Sequence, residues 1–343
     1  MINLARGLGR YIVIRALMII PMILILYTIV FLFLRVLPGN PILAVVGTKN
    51  IPPEQLHHLE HMAGLDKPLY VQYFDYLWKM LHGNLGVTLA SPMGKPVSSY
   101  IALRLPATIE LTIFAFTVSV LLGLATGVWG AVRKGTKIDT SMRVYSIVAY
   151  TLFIPWFGMM LQYLFGVKLH WLPTSGRIDP GITSFHSITG LYLLDSLVEG
   201  NWAAFVSVAE HLILPSLTLG IVLSGAYTRL VRNNMIDVLS QDFIRSYKAR
   251  GVPDRKVLRY ALKNAFIPVV TLMGLQFAIL LGGAVLTETT FNWPGMGTFI
   301  MDRINYRDYN SIQGAVIVFA LFVGLISLIV DIIYAILDPR VEY

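Results

Sequence analysis

Residues 264–287 read NAFIPVVTLMGLQFAILLGGAVLT and contain no Asp, Glu, Lys or Arg. A helix that crosses the hydrocarbon core of a bilayer needs about 20 consecutive apolar residues with few or no charges. This stretch meets both conditions, and it is too long for the buried core helix of an ordinary soluble domain. It therefore predicts a membrane-spanning helix.

The same criterion finds five further charge-free runs in the 343 residues of the chain. The six predicted spans are 16–34, 111–132, 144–167, 211–228, 264–287 and 309–330. Hydrophobic residues make up 56% of the sequence and charged residues only 13%, whereas soluble domains contain about 25% charged residues. We see no repeat or linker that divides the sequence. We therefore predict an all-α integral membrane protein with six transmembrane helices, in which residues 1–343 form a single transmembrane domain.

The basic residues are concentrated on one side of these spans. Of the 27 Lys and Arg residues, 17 fall in four segments that share a side: 1–15, 133–143, 229–263 and 331–343. Because Lys and Arg accumulate in cytoplasmic loops, we expect both chain termini in the cytoplasm and the long segment 35–110 outside. The formal charge of +8 has the same explanation and does not indicate a nucleic-acid partner.

Several classes of chemistry have no basis in this sequence. It contains no cysteine, no phosphate-binding loop of the form GxxxxGK[ST], no HExxH and no GxSxG. We therefore expect no catalytic residue and no cofactor or metal in this chain; the one histidine cluster, His57, His58 and His61, is interpreted as a solvated loop face. The charge-free runs also lack the ionisable groups of an ion-coupled carrier. A membrane-embedded enzyme and a stand-alone channel or secondary carrier are thus disfavoured.

An aromatic amphipathic helix is predicted over residues 69–81. Gly83 ends it, and its apolar positions recur at helical spacing: Tyr70, Tyr73, Phe74, Leu77, Trp78 and Leu81. Such a helix suits the membrane interface. Two interpretations stay open, namely packing against the spans and a docking surface for an outside partner.

Four polar side chains within the predicted spans are candidates for a solute pathway. These are Gln162, Gln276, Thr112 and Ser224. Polar residues in spanning segments commonly hydrogen-bond to neighbouring helices, so packing is the alternative explanation for all four.

Segment 229–263 predicts two short helices on the cytoplasmic side. Ser240 or Asp242 can cap a helix over 241–250, Gly251 follows at the position that favours positive φ, and Pro253 begins a second helix. An apolar stripe accompanies the first helix: Leu239, Phe243 and Tyr247. A stripe of this kind suits a protein partner. A helix that lies on the bilayer surface explains the basic residues equally well.

This segment resembles the cytoplasmic loop of permease subunits of dipeptide and oligopeptide ABC importers. The similarity lies in DFIRSYKARG (242–251) and YALKNAFIP (260–268). Against the general form EAA-x3-G only Gly251 matches strictly, and Tyr247 stands where a small residue is usual. Further segments that resemble this group follow in order along the chain: RVLPGNP (35–41), GLDKPLYVQY (64–73), GNLG (83–86), WLPTSGR (171–177), FNWPGMG (291–297) and LDPR (337–340).

The resemblance implies a permease like those of type I ABC importers, a multi-pass protein of the prokaryotic plasma (inner) membrane that moves di- or oligopeptides inward. It further implies a second, homologous permease, two ATP-binding subunits that hold ATP and Mg²⁺, and an extracellular or periplasmic solute-binding protein. Similar permeases carry nickel chelates, glutathione or oligosaccharides, so the cargo stays open.

The resemblance also assigns candidate residues. Those implied in coupling to an ATPase are Leu239, Asp242, Phe243, Ser246, Tyr247, Ala249 and Gly251. The candidates for an outer docking surface or gate are Trp78, Trp171, Arg177 and Trp293.

Overall fold

A computed structural model describes residues 2–36, 54, 60, 61, 65–89, 94–182 and 184–337, and this part of the chain is mostly helical. The helices, in chain order, are α1 (Ile2–Val36), α2 (Leu69–Leu81), α3 (Val97–Val132), α4 (Lys137–Thr151), α5 (Ile154–Leu161), α6 (Tyr192–Glu199), α7 (Trp202–Leu239), α8 (Asp242–Ala249), α9 (Asp254–Ala265), α10 (Ile267–Thr290), α11 (Met296–Asn305) and α12 (Tyr309–Leu337). A π-helical turn, Gln162–Lys168, continues α5.

Four of the described helices are long and apolar enough to cross a membrane. They are Arg10–Val36 of α1, all of α3, all of α7 and Tyr309–Ile332 of α12. The bent pair Lys137–Thr151 and Ile154–Lys168 makes a fifth if it is counted as one span. The predicted span 264–287 overlaps α10.

The third predicted span, 144–167, is not one straight helix in the structure, because α4 and α5 meet at an angle of 105°. The cause lies at the start of α5, where Pro155 is one of the first two residues. Proline has no N–H, and in a continuous helix its ring would clash with the carbonyl group of Thr151. Leu152 accordingly has an extended backbone, with ψ 130°.

The helices also extend beyond the charge-free runs that predicted them. Helix α3 begins at Val97 rather than near residue 111, and α7 covers Trp202–Leu239 rather than 211–228. The charge criterion ended these spans at the first ionisable residue, but the helical backbone continues through Glu110 and through Arg229.

Helices α3 and α7 pack in parallel as the central pair of the bundle. Gly123 lies against Tyr227, and one turn later Gly127 lies against Val231, so that neither glycine leaves room for a Cβ atom. The hydroxyl groups of Thr126 and Thr228 are 2.7 Å apart. Small residues allow this close approach of two backbones, which is how helices associate in lipid.

Helices α1 and α12 are antiparallel. Arg15 Nη1 is 3.2 Å from Asp331 Oδ2 near one end of the pair, and Arg35 Nη1 donates to Gln313 Oε1 at 3.4 Å near the other. Helix α10 is in turn antiparallel to α12. Gly274, near the start of α10, packs against Val330, near the end of α12, whereas Glu288 at the end of α10 and Gly314 near the start of α12 both contact the first half of α3. The start of α1, the start of α10 and the end of α12 therefore lie at the same end of the bundle.

Candidate coupling helix and buried polar sites

Helices α8 and α9 form the predicted helix–glycine–helix unit. Gly251 has φ +70°, and the turn is closed by Gly251 N–H donating to Lys248 O at 3.0 Å and Val252 N–H to Tyr247 O at 3.1 Å. Only glycine adopts this backbone conformation without a steric penalty. Neither Ser240 nor Asp242 caps α8; its N-cap is Gln241, whose side chain makes no capping bond.

The apolar stripe of α8 is partly buried within this chain. Leu239, Phe243 and Tyr247 are half-buried against an apolar cluster with residues from α3, α7, α8, α9 and α10. The rings of Tyr247 and Tyr260 are 5.3 Å apart. The stripe is thus a less open surface than its sequence pattern predicted. The main anchor is a residue outside the predicted stripe, Ile244, which is 1% exposed.

The exposed face of α8 is polar. Asp242, Ser246 and Ala249 are exposed together with Arg245, and these four positions follow the i, i+3, i+4, i+7 spacing of a single helix face. Arg245 Nη1 and Asp242 Oδ1 are 3.4 Å apart on this surface. A partner that contacts α8 therefore meets this polar face first and the outer edges of Phe243 and Tyr247 beside it.

Two of the four pathway candidates join elements of this chain by hydrogen bonds. Gln162 Nε2 donates to Thr174 O at 2.7 Å and to Thr290 O at 3.0 Å. The Ser224 hydroxyl lies 2.6 Å from the Tyr145 hydroxyl. These contacts favour a packing role for both residues.

The other two pathway candidates, Gln276 and Thr112, are buried without full pairing. Gln276 Oε1 and Thr112 Oγ1 have no hydrogen-bond partner among the described residues. Because an unpaired buried polar atom costs about 1–3 kcal/mol, packing alone does not account for these two side chains. Their assignment to a pathway stays a prediction.

The outer docking or gate candidates fall into two groups. Trp78 and Trp171 are 65% and 66% exposed. Trp293 is fully buried and donates from Nε1 to Ala107 O at 2.9 Å, and Arg177 is buried as well. Among these four candidates, only Trp78 and Trp171 are exposed enough to contact a docked protein directly.

The charge-free criterion for spans misses two buried carboxylates, Glu110 and Glu288. Glu110 of α3 accepts from Arg177 Nη2 at 2.6 Å and from Leu193 N at 2.8 Å. Because the charge-free runs end next to Glu110 and Glu288, the criterion predicts helices without ionisable groups, which is wrong for α3 and α10.

Glu288 joins α10 to α3 and to the start of α11. It accepts from Thr108 Oγ1 at 2.6 Å, from Gly297 N at 2.7 Å and from Thr298 N at 3.1 Å. The sequence feature that points to this Glu288 site is the pair of glycines in FNWPGMG. A Cβ atom at Gly295 or Gly297 would collide with the Glu288 carboxylate.

Metal ligands are not grouped in the described part of the chain. Within those residues no set of three or more His, Asp or Glu side chains is arranged to hold an ion. His57 and His58 of the histidine cluster lie outside the described residues.

Comparison with known proteins covers nearly the whole chain. Residues 119–343 match the family described as "Binding-protein-dependent transport system inner membrane component", and residues 8–112 match the N-terminal domain family of the same transport systems. The di/tripeptide transport system permease protein DppB of Pseudomonas aeruginosa is 38% identical over 314 residues, which cover 91% of this chain and 93% of that protein.

Two further relatives are similar over still more of the sequence. The dipeptide transport system permease protein DppB of Escherichia coli is 36% identical over 331 residues, or 95% of this chain and 96% of that protein. The glutathione transport system permease protein GsiC of Salmonella choleraesuis is 38% identical over 338 residues, or 97% and 99%. The chain therefore belongs to the family of inner-membrane components of binding-protein-dependent transport systems, and it is a multi-pass permease subunit of the bacterial inner membrane.

Proposed function

We propose that this permease moves di- and oligopeptides into the cell as one subunit of an ABC importer, with ATP hydrolysed on separate subunits. The observation that carries this proposal is the 36–38% identity to di- and tripeptide permeases over more than nine-tenths of the chain. Glutathione is itself a small peptide, so the likeness to a glutathione permease favours the same class of cargo over nickel chelates or oligosaccharides.

The proposed topology has six spans with both termini in the cytoplasm. It is supported by the bias of basic residues and by the two contacts Arg15–Asp331 and Gly274–Val330, which bring three helix ends to one end of the bundle. The α8–α9 unit precedes α10 directly and lies at this same end. In this topology, segment 35–110 and the loop between α5 and α7 face outward.

The proposed lever is α8, which contacts an ATP-binding subunit through Asp242, Ser246, Ala249 and the exposed edges of Phe243 and Tyr247. Its anchor Ile244 belongs to one continuous apolar cluster with residues of α3, α7, α9 and α10. Because close-packed side chains transmit displacement, movement of α8 would reach three long helices at once. Gly251 sets the angle between α8 and α9, and Leu239 links α8 to the end of α7.

The proposed assembly contains a second, homologous permease, two ATP-binding subunits that hold ATP and Mg²⁺, and a solute-binding protein that docks on the outer side. The described residues of this chain offer polar sites for cargo but no set of metal ligands. Its own contribution is therefore the conduit and the lever.

The proposal is tested by reconstituting the chain with its partner subunits in proteoliposomes that contain ATP. We expect uptake of a radiolabelled dipeptide that depends on the solute-binding protein and stops when the ATPase subunits carry an inactivating substitution. Unlabelled glutathione, a nickel chelate and an oligosaccharide serve as competitors. Dipeptide flux that persists without the ATPase subunits would instead identify a channel or secondary carrier.

A further inference from the structure

A polar cavity of about 530 Å³ lies on the predicted outer side, between α3, α11 and the segment that joins α10 to α11. Its volume is within the range of about 300–1,000 Å³ that is typical of small-molecule sites. Arg104, Arg177, Asn292, Met301 and Asp302 are among the residues that line it.

The charged groups of this cavity differ in their pairing. Arg177 is engaged by Glu110 and by the ring of Tyr192, 3.7 Å from the guanidinium carbon, so it forms a fixed part of the wall. The side chains of half-buried Arg104 and exposed Asp302 form no hydrogen bond or ion pair within the part of the chain that the structure describes.

Glu288 is the carboxylate that acts on Arg104 electrostatically, but its oxygens already accept from Thr108, Gly297 and Thr298. The guanidinium of Arg104 therefore keeps its donors available to a ligand in the cavity.

An available cation and an available anion in one small cavity match a zwitterion. A guanidinium binds a carboxylate through two parallel hydrogen bonds, and a carboxylate binds an ammonium group. The Asn292 side chain, which also lines the cavity, adds an amide donor and an amide acceptor. We propose that the cavity is an entry subsite for a short peptide, in which Arg104 holds the α-carboxylate and Asp302 the α-ammonium group. This inference rests on the proposed peptide-import function and adds a point of contact within the permease.

The cavity walls are held in place by buried contacts. Helix α11 carries Met301 and Asp302, and its first N–H groups are bound by Glu288. Trp293 is fixed to α3 through its bond to Ala107. A site whose supporting residues are locked by packing and hydrogen bonds keeps its geometry before the ligand arrives.

The test uses the complete reconstituted importer and a dipeptide that carries the photoreactive residue benzoylphenylalanine. The complex is trapped with vanadate and ATP in the presence of the solute-binding protein, then irradiated, and the labelled peptide is mapped. We expect label in α11 at or next to Met301. Arg104→Gln and Asp302→Asn should each reduce both labelling and dipeptide uptake by about tenfold or more, the loss that follows from one charge-assisted contact.

Lys95→Gln is the matched control, because Lys95 is an exposed cation outside the cavity, and it should leave labelling and uptake unchanged. Co-purification of the partner subunits establishes that each variant folds. If wild-type complex imports dipeptide and both cavity variants label and import normally, the inference is overturned while the proposed function stands. If the variants lose the label together with capture of the solute-binding protein, the cavity is a docking site instead. Absence of dipeptide import by the wild-type complex overturns the proposed function and the inference together.

Discussion

Arg177 and Glu110 form a buried ion pair that fastens the loop after α5 to the middle of α3, with Nη2 2.6 Å and Nε 3.0 Å from the same carboxylate oxygen. Both side chains are at most 4% exposed. The guanidinium also donates to Gly190 O at 2.6 Å, and the second carboxylate oxygen accepts from Leu193 N. The pair thus organises the loop between α5 and α7 around one point of α3.

Removing one member of this pair should destabilise the protein strongly. Glu110→Gln or Arg177→Met leaves the other group buried and unpaired, at an expected cost of about 3–5 kcal/mol. The measurement is unfolding of the purified chain in detergent. The double variant Glu110→Leu with Arg177→Met should recover part of the loss, because it leaves no buried charge unpaired, although Gly190 O and Leu193 N–H lose these side-chain partners. If the double variant loses as much free energy of unfolding as the two single variants together, the two charges do not interact.

The pairing of Glu110 with Arg177 could not be predicted from local sequence patterns. These residues are 67 positions apart in the sequence. They come into contact only because the loop between α5 and α7 folds back onto α3. A charge-free criterion treats every glutamate as the end of a span. It therefore cannot recognise a glutamate within a helix that pairs with a residue distant in the sequence.

Local features, by contrast, were predictable. The positive φ of Gly251 and the helices on either side of it follow from residues within one turn, and the structure contains them. The stripe of Phe243 and Tyr247 predicted a face that contacts a partner, and the structure half-buries both side chains against apolar residues of this same chain. It could not indicate whether α9 of the same chain or another subunit covers that face, because periodicity carries no information about the partner.

The topology can be checked with single cysteines, since the chain contains none of its own. Cysteines introduced at Lys137 and Asp254 should resist an impermeant thiol reagent in intact cells, and those at Asp66 and Asp179 should react. All four positions are exposed, so differences in labelling report the side of the membrane rather than burial. Permeabilised cells provide the control in which all four react. Labelling of position 254 from outside would contradict a cytoplasmic α8–α9 unit.

Asp195 should give the segment between α5 and α7 a pH-dependent stability. Burial alone would raise the pKa of its carboxyl group, but hydrogen bonds from Thr189, Ser187 and the backbone of Gly190 outweigh burial and lower the pKa below its ordinary value of 3.8. A lowered folded-state pKa stabilises the fold above the unfolded-state pKa, and this contribution is lost as the pH falls through the folded-state pKa.

The melting temperature of wild-type protein should therefore exceed that of Asp195→Asn near neutral pH, and the difference should shrink as the pH is lowered past the ordinary aspartate range. Ser187→Ala combined with Thr189→Val removes two of the donors and should weaken the pH dependence while the carboxylate is retained. A difference that stays constant from neutral to acidic pH would contradict this account.

Gln276 and Gln162 provide a matched pair of buried amides. Gln276→Leu should leave the melting temperature unchanged or raise it, because the Oε1 atom of Gln276 already lacks a partner among the described residues. Gln162→Leu should lower stability by about 1–3 kcal/mol, since Gln162 donates to Thr174 O and Thr290 O. If Gln276 lines the pathway, Gln276→Leu alters the amount of peptide imported per ATP in proteoliposomes. Normal transport with normal stability would assign Gln276 to helix packing.

Substitutions at α8 should weaken the contact with the ATPase subunits. Gly251→Val forces a branched side chain into positive φ, which costs about 1–2 kcal/mol. This cost is purely conformational, because apart from the two adjacent residues no atom lies within 4 Å of the point that a Cβ atom would occupy. Phe243→Ala removes part of the contact edge and also loosens α8 from α9. Both variants should keep the membrane helices folded, and both should reduce co-purification of the ATPase subunits or the stimulation of ATP hydrolysis by the solute-binding protein.

Ala249→Trp tests the exposed face of α8 without disturbing its buried side. Ala249 is exposed, so the bulky ring is accommodated by the isolated chain but obstructs any subunit that packs against this face. Arg255→Trp, at an exposed position of the neighbouring α9, is the matched control and should assemble normally. Co-purification in detergent and ATP hydrolysis in proteoliposomes are measured for both. If Ala249→Trp assembles and hydrolyses ATP as Arg255→Trp does, the polar face of α8 is not where the ATPase binds, and α8 is better explained as a helix that lies on the membrane surface.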